Sequence, residues 1–173
     1  MGSGGPSGTM TDSPMGKKKG GGEQSGPPTI RNRRARFDYE LLDTFEAGLA
    51  LAGAEVKSIW LGRASLTDAF CVVKEGELWL TNSDVEPYEH ATHFQPERRR
   101  DRKLLLHRRE IDLIARRSQE KGLTIIPTRL YFKNGRVKAE IALARGKKHY
   151  DKREQIAAKE TRREAERMRS RRD

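Results

Sequence analysis

Basic side chains stand beside aromatic and histidine side chains at three places in the chain, residues 32–37, 98–109 and 146–153. Arg and Lys neutralise phosphates, whereas Tyr and His stack on unpaired bases. The three segments therefore predict binding of RNA. A solvated face that happens to be basic is the simpler alternative for each of them.

Catalytic or metal-binding patterns are weak by comparison. The chain contains no G-x-x-x-x-G-K-[ST] phosphate loop, no G-x-G-x-x-G and no G-x-S-x-G. Cys71 lies in a predicted strand, which favours a buried apolar side chain over a nucleophile. His90 and His93 have no convincing third ligand, so a surface loop is favoured over a zinc site. We predict no catalytic residue, no metal and no cofactor, and we keep an RNA-processing or modifying enzyme that uses His90 and His93 as the alternative.

Charge limits the range of possible partners. The 173 residues include 36 Lys or Arg and 25 Asp or Glu, a net charge of +11, which favours nucleic acid or acidic lipid. Residues 37–97 are acidic, with 12 Asp or Glu against three Lys or Arg, and basic segments lie on both sides. No apolar run is long enough to span a bilayer, and neither a signal peptide nor a cysteine pair is present. We expect a cytoplasmic protein that does not bind membranes.

Composition divides the chain into three sections. Residues 1–30 are rich in Gly, Pro and Ser and are predicted to be disordered. Residues 31–144 carry the apolar patterns of a folded domain. Residues 145–173 combine 12 Lys or Arg with few large apolar side chains, so we expect a basic tail that is disordered alone and helical on an anionic surface.

The folded section is predominantly β in its patterns. Residues 37–45 resemble a strand, and two hairpins are predicted, at Glu75-Gly76 and at Asn134-Gly135. Pro127 predicts a bulge or a sheet edge. Apolar residues at helical spacing predict a helix around 56–60 and another over about 106–121, the latter ending at Gly122.

These elements predict a mainly β fold. About six short antiparallel strands, with little sequence for crossovers, favour a small OB-type barrel with two to three flanking helices and the basic C-terminal tail.

The same segments resemble one protein family, small protein B (SmpB). The matching runs follow the family's order over residues 31–154: NRRARFDY, FEAGLALAG with EVKS, RKLLLHRREI, KGLT, LYFKNGRVK and GKKHYDKRE. One position departs from the family pattern, since Asp84 stands where a His is usual.

The resemblance implies an OB-type barrel that catalyses nothing. It implies an adaptor that binds the transfer-RNA-like part of transfer-messenger RNA (tmRNA) and enters stalled ribosomes with that RNA, with elongation factor Tu as an indirect partner through the charged RNA. The tail is then expected to lie as a helix in the empty decoding centre and messenger channel of the small subunit. The nascent peptide is tagged and the ribosome is freed. We expect a monomer.

Site residues follow from the same resemblance, position by position. The RNA-binding positions are Asn32, Arg33, Arg34, Glu46, Leu105 and Lys138. The decoding-site and tail positions are Gly146, Lys147, Lys148, Tyr150, Asp151, Lys152, Arg153 and Met168. For two of them the residue chemistry leaves alternatives open: Leu105 packs on an unstacked base or belongs to the core, and Glu46 accepts from a guanine edge or orients an Arg.

Overall fold

A computed structural model describes residues 26–170, except for the side chains of residues 149–151. The predicted disorder of residues 1–25 lies outside the described residues. Within the described part the helices are α1 (Ala35–Asp38), α2 (Gly53–Trp60), α3 (Arg108–Lys121) and α4 (His149–Ser170). The strands there are β1 (Ile30–Arg31), β2 (Tyr39–Leu49), β3 (Ala64–Ser65), β4 (Phe70–Lys74), β5 (Glu77–Thr81), β6 (Asp84–Val85), β7 (Arg102–Leu105), β8 (Thr124–Lys133) and β9 (Arg136–Gly146).

Six strands form a nearly closed antiparallel ring. The order is β8-β4-β5-β7-β2-β9, and β9 pairs with β8 to complete it. The weakest join is between β4 and β8, where a single pair, Cys71 with Ile125, is in register. Strand β1 adds to β8 outside the ring, and β3 pairs with β6 separately. The predicted antiparallel, mainly β architecture with flanking helices is confirmed.

Both predicted hairpins are present. Glu75 and Gly76 have φ of 52° and 74°, and Asn134 and Gly135 have 52° and 73°. Positive φ at both central residues defines the type I′ turn, whose twist matches that of the flanking strands. The bulge predicted at Pro127 is present as a register shift between β8 and β9.

The helices begin and end where local chemistry directs. The side chain of Glu110 accepts from the His107 amide at 3.1 Å, which stabilises the first turn of α3. Gly122 takes the left-handed conformation (φ 59°) and ends that helix as predicted. Ile114 of α3 and Ile59 of α2 are fully buried against the ring, whose own interior includes Leu78, Leu104 and Ile141.

Two local predictions differ from the structure. The strand expected from Phe37 begins at Tyr39, because residues 35–38 form the short helix α1. Strand β7 was not expected at all, because its residues belong to the run interpreted as a basic patch. Ile30, the last residue of the predicted extension, is buried and pairs with Leu130. None of the helices among residues 26–170 is both long and apolar enough to cross a membrane.

Candidate nucleic-acid interface

Three of the predicted RNA-binding residues, Glu46, Leu105 and Lys138, line one groove. Its volume is about 720 Å³, and His107 and Arg108 form part of its wall. This volume falls within the roughly 300–1,000 Å³ typical of sites for small ligands. The groove is therefore large enough for one nucleotide.

Strand register explains why residues so far apart in sequence meet here. Lys138 on β9 lies opposite Gly48 on β2, and Gly48 lies opposite Leu105 on β7. Residues directly opposite in an antiparallel sheet point to the same face. Glu46 shares that face with Gly48, two residues away along β2. A Cβ at Gly48 would lie 3.2 Å from Leu105 Cβ, so glycine leaves the space that Leu105 occupies.

Leu105 is on the surface rather than in the core, because 52% of it is exposed. This position is compatible with the predicted contact to an unstacked base. Its neighbour Leu104 points to the opposite face of β7 and is 1% exposed. The alternation along β7 thus places one leucine in the core and the other in the groove.

Glu46 is held by a tyrosine and a lysine, not by an arginine. Tyr131 donates its hydroxyl hydrogen bond to Glu46, and Lys133 Nζ lies 3.1 Å from Glu46 Oε1. These two bonds, first that of Tyr131, lower the pKa of Glu46 below its ordinary value. Burial, and then the bond to Glu46, raise the pKa of Tyr131 to about 12, so the phenol stays protonated and keeps donating.

The side-chain amide of Asn32 makes two hydrogen bonds within the protein. Its Nδ2 donates to the carbonyl of Pro127 at 2.9 Å, and its Oδ1 accepts from the amide of Ala35 at 3.2 Å. The residue is 7% exposed. Asn32 therefore ties the start of α1 to the bulge of β8, and the predicted hydrogen bond from Asn32 to RNA would compete with these two bonds.

Arg33 and Arg34 follow Asn32 and are exposed. Arg33 lines a second cavity of about 580 Å³ with four other cationic residues: Arg31, Arg36, Arg129 and Lys159. Lys159 belongs to α4, so the N-terminal segment and the tail helix form this cavity together. Its carboxylate, Glu140, is paired with Arg129 at 2.8 Å.

Asp38 joins the tail to the body. Its Oδ1 lies 3.2 Å from Lys152 Nζ, and its Oδ2 lies 3.6 Å from Arg34 Nε. Its carbonyl accepts from the Lys147 amide at 3.0 Å, and Lys147 Nζ donates to the Arg36 carbonyl at 2.8 Å. The carboxylate of Asp38 thus contacts one cation of the predicted RNA segment and one of the tail.

Four of the other tail positions, Gly146, Lys148, Arg153 and Met168, are open to solvent. Gly146 ends β9 opposite Tyr39, and Lys148 and Arg153 are exposed. Met168 is 70% exposed on α4. Tyr150 and Asp151 lie in the first turn of α4, and their predicted side-chain roles fall outside the described residues.

Part of the basic run 98–103, predicted to bind RNA, pairs with carboxylates of the protein, whereas Arg98 and Arg99 remain more than half exposed. Arg102 is 1% exposed and lies 2.8 Å from Glu55, which also pairs with Arg100 at 2.6 Å. Lys103 pairs with Glu77 at 2.6 Å. Burial raises the pKa of Glu55, but the hydrogen bonds from Arg100 and the Ala52 amide and the charge of Arg102 outweigh it and lower the pKa overall.

Asp84, the position that departs from the family pattern, lies near three arginines of the same run, Arg98, Arg99 and Arg102. It accepts a bidentate hydrogen bond from Arg98, which lowers the pKa of Asp84. Its carboxylate therefore fixes the loop before β7.

The three residues considered for catalysis or metal binding lie in β4 and in the loop before β7. Cys71 is buried in β4, and burial raises the pKa of its thiol. His90 and His93 are exposed in the loop before β7. Across residues 26–170, no three His, Cys, Asp or Glu side chains come together as metal ligands would.

Two groove residues, His107 and Arg108, belong to the predicted RNA-binding segment 98–109 but were not among the positions that the family resemblance supplied. They stand in the run RKLLLHRREI, directly after Leu105, so the signal was adjacency to a predicted contact at the start of a helix.

A ring of antiparallel strands that carries a groove of nucleotide size, a cavity lined by five cations and a basic helical tail defines a small RNA-binding β-protein. Comparison with known proteins specifies the family. The model of the SmpB protein family matches residues 29–171. The chain belongs to the SmpB family, as the resemblance indicated.

Curated relatives agree over most of the chain. The SsrA-binding protein of Thermobifida fusca is 53% identical over 159 residues, which cover 91% of this chain and 99% of the relative. The SsrA-binding protein of Streptomyces avermitilis is 56% identical over 137 residues, 79% of this chain and 77% of the relative.

A solved structure agrees as well. One chain of the structure described as "tmRNA-SmpB: a journey to the center of the bacterial ribosome" superposes with a TM-score of 0.60 at 46% identity. The match covers 70% of this chain and 86% of that chain.

Proposed function

We propose that this chain binds SsrA RNA, that is tmRNA, and delivers it to stalled ribosomes in trans-translation. Its family consists of RNA-binding proteins without enzymatic activity, so the RNA-processing alternative is set aside. The observation that carries the proposal is the meeting of Glu46, Leu105 and Lys138, three family positions, in one groove of nucleotide size.

The groove and the N-terminal segment have different roles in this proposal. Leu105 offers an apolar surface to an unstacked base, and Lys138 offers a charge to its phosphate. Glu46 holds Tyr131 and Lys133 in position beside Leu105 and Lys138 through hydrogen bonds. Arg33 and Arg34 contact the RNA backbone of the transfer-RNA-like part, and Asn32 fixes the segment that carries them.

The ring of strands is an OB-type barrel in this proposal. OB folds bind single-stranded nucleic acid on one face of a small five-stranded barrel. The groove lies on the outer face of β2, β7 and β9.

The tail is proposed to enter the empty decoding centre and messenger channel. Four cations at its root, Lys147, Lys148, Lys152 and Arg153, are named here the root cations. With Gly146, Tyr150 and Asp151 they contact the decoding site, and Met168 lies further along the channel. The helix α4 carries little apolar surface, so we propose that ribosomal RNA stabilises it. The protein acts as a monomer in the cytoplasm, and elongation factor Tu reaches it only through the charged RNA.

The test is to purify the chain from its own cells and to sequence the RNA that accompanies it. SsrA RNA is expected as the dominant species. Lys138→Ala should then weaken binding of the transfer-RNA-like fragment about tenfold, the order expected for one charged contact. Lys121→Ala, an exposed cation at the far end of α3, is the matched control. Recovery of unrelated RNA, or equal effects of the two variants, contradicts the proposal.

A further inference from the structure

We propose that Arg108 binds a phosphate of the RNA at the rim of the groove, and that Gly76 of the neighbouring hairpin gives Arg108 its position. This inference rests on the proposed function, because it assumes that the groove holds a nucleotide of the RNA. It adds a contact and a positioning residue outside the positions that the family resemblance supplied.

The guanidinium of Arg108 lies directly against the turn between β4 and β5. A Cβ added to Gly76 would be 3.0 Å from Arg108 Nη2 and 3.2 Å from its Cζ and Nη1. These distances are tighter than nine in ten real Cβ contacts, so a side chain at residue 76 would require the guanidinium to shift by a few tenths of an ångström. The guanidinium of Arg108 thus packs against the backbone of the turn at Gly76.

The second hairpin shows that turn geometry alone does not account for this contact. Gly135 occupies the same position of the same turn type, with φ of 73° against 74° for Gly76. A Cβ at Gly135 would meet nothing within 4 Å. Both glycines are required by their positive φ, but only Gly76 also makes room for a cation.

Three carboxylates, Glu46, Glu77 and Glu110, line the groove together with three cations, Lys103, Arg108 and Lys138. Glu110 accepts a hydrogen bond from the His107 amide. Arg108 and Lys138 are the cations that a ligand can reach. Glu77 is neutralised by Lys103, and Glu46 by Lys133. Arg108 pairs with Asp112 at 3.4 Å, but the side chains are 72% and 64% exposed, so the pair is weak. Among the described residues Lys138 forms no ion pair. A phosphate can therefore replace Asp112 as the partner of Arg108 at little cost.

The placement fits the dimensions of one nucleotide. The base lies against Leu105, on the floor that Gly48 leaves open, and the phosphate lies at the rim between Lys138 and Arg108. Contacts to phosphate set the register of a nucleic acid, whereas contacts to the base read its identity. Arg108 is accordingly expected to affect affinity for every sequence that enters the groove.

Two matched pairs of variants test the inference in the full-length chain, with the transfer-RNA-like fragment of SsrA RNA as the probe. The first pair is Arg108→Ala and Arg109→Ala, since Arg109 is an exposed neighbour that does not line the groove. Arg108→Ala should weaken binding about tenfold and reduce the slope of log K against log salt by roughly 0.7 to 0.9. Arg109→Ala should stay within about twofold of the unmodified chain.

The second pair is Gly76→Ala and Gly135→Ala. Both variants force alanine into the left-handed region, so both should lower the melting temperature by a similar amount. Only Gly76→Ala should weaken RNA binding, because only it displaces Arg108. Binding is measured well below either melting temperature.

The outcomes separate this inference from the function on which it rests. Equal affinities for Arg108→Ala and Arg109→Ala overturn the phosphate contact, while Lys138→Ala still reports the groove. Equal affinities for Gly76→Ala and Gly135→Ala overturn the positioning role of Gly76. A chain that binds no SsrA RNA overturns the proposed function and this inference with it.

Discussion

Asn32→Ala tests whether a family position acts through RNA or through the fold. The change removes two hydrogen bonds, to the Pro127 carbonyl at 2.9 Å and from the Ala35 amide at 3.2 Å. Each is worth about 0.5–1.5 kcal/mol, so we expect the free energy of unfolding to fall by about 2 kcal/mol. In a chain of this size that lowers the melting temperature by roughly 4–8 °C.

The assay combines thermal unfolding, followed by circular dichroism, with RNA binding at several salt concentrations. Arg33→Ala is the control: its side chain is exposed, so the melting temperature should hardly change while the salt slope falls by roughly 0.7 to 0.9. Asn32→Ala should weaken RNA binding with an unchanged slope, since every phosphate contact remains in place but is less well ordered. A variant that melts like the unmodified chain and still loses RNA affinity would refute this reasoning and make Asn32 a direct contact.

Three further predictions concern the ion pairs and the tail. Glu55→Gln breaks the buried pair with Arg102 and should cost about 3–5 kcal/mol of stability. Because folding lowers the pKa of Glu55, the stability that its carboxylate contributes is present above the ordinary pKa of 4.5 and is lost as the pH falls below it. Urea unfolding of the variant at several pH values should therefore lack that part of the acid dependence. Asp38→Asn removes the carboxylate between Arg34 and Lys152, so amide hydrogen exchange in the first turns of α4 should accelerate while the melting temperature changes little; unchanged exchange would mean that the pair does not hold the tail. Replacement of all four root cations by alanine should abolish peptide tagging on messages without a stop codon and leave most affinity for the transfer-RNA-like fragment, whereas loss of both would place the tail in the primary RNA site.

Local turn chemistry made much of the fold predictable. Asn134-Gly135 and Glu75-Gly76 stand between alternating apolar residues, and Gly122 follows a periodic helix, so short-range sequence sufficed for both hairpins and for the end of α3. Strand β7 could not be found in this way. Its residues Arg102 and Lys103 carry charge, and what buries Arg102 is Glu55, 47 residues earlier in the chain.

Three residues of the groove were predicted, but their meeting in one groove was not. Glu46, Leu105 and Lys138 came from the family resemblance, but their meeting depends on the registers of β2 with β7 and with β9, which no short-range pattern encodes. Arg108 belonged to a predicted basic segment, but its place beside Gly76 of another hairpin was not predictable from short-range sequence.

The uneven charge of the chain acquires a structural meaning from these contacts. Several acidic residues of 37–97 bind the basic run that follows: Glu55 pairs with Arg100 and Arg102, and Glu77 pairs with Lys103. These cations are thereby withdrawn from RNA, because a phosphate would have to displace a partner that is already in hydrogen-bond contact. The cations that stay available lie at residues 31–36, at the groove and along the tail. Internal neutralisation in the middle of the sequence therefore restricts a strongly basic chain to a few defined phosphate contacts, and this restriction favours one structured RNA over polyanions in general.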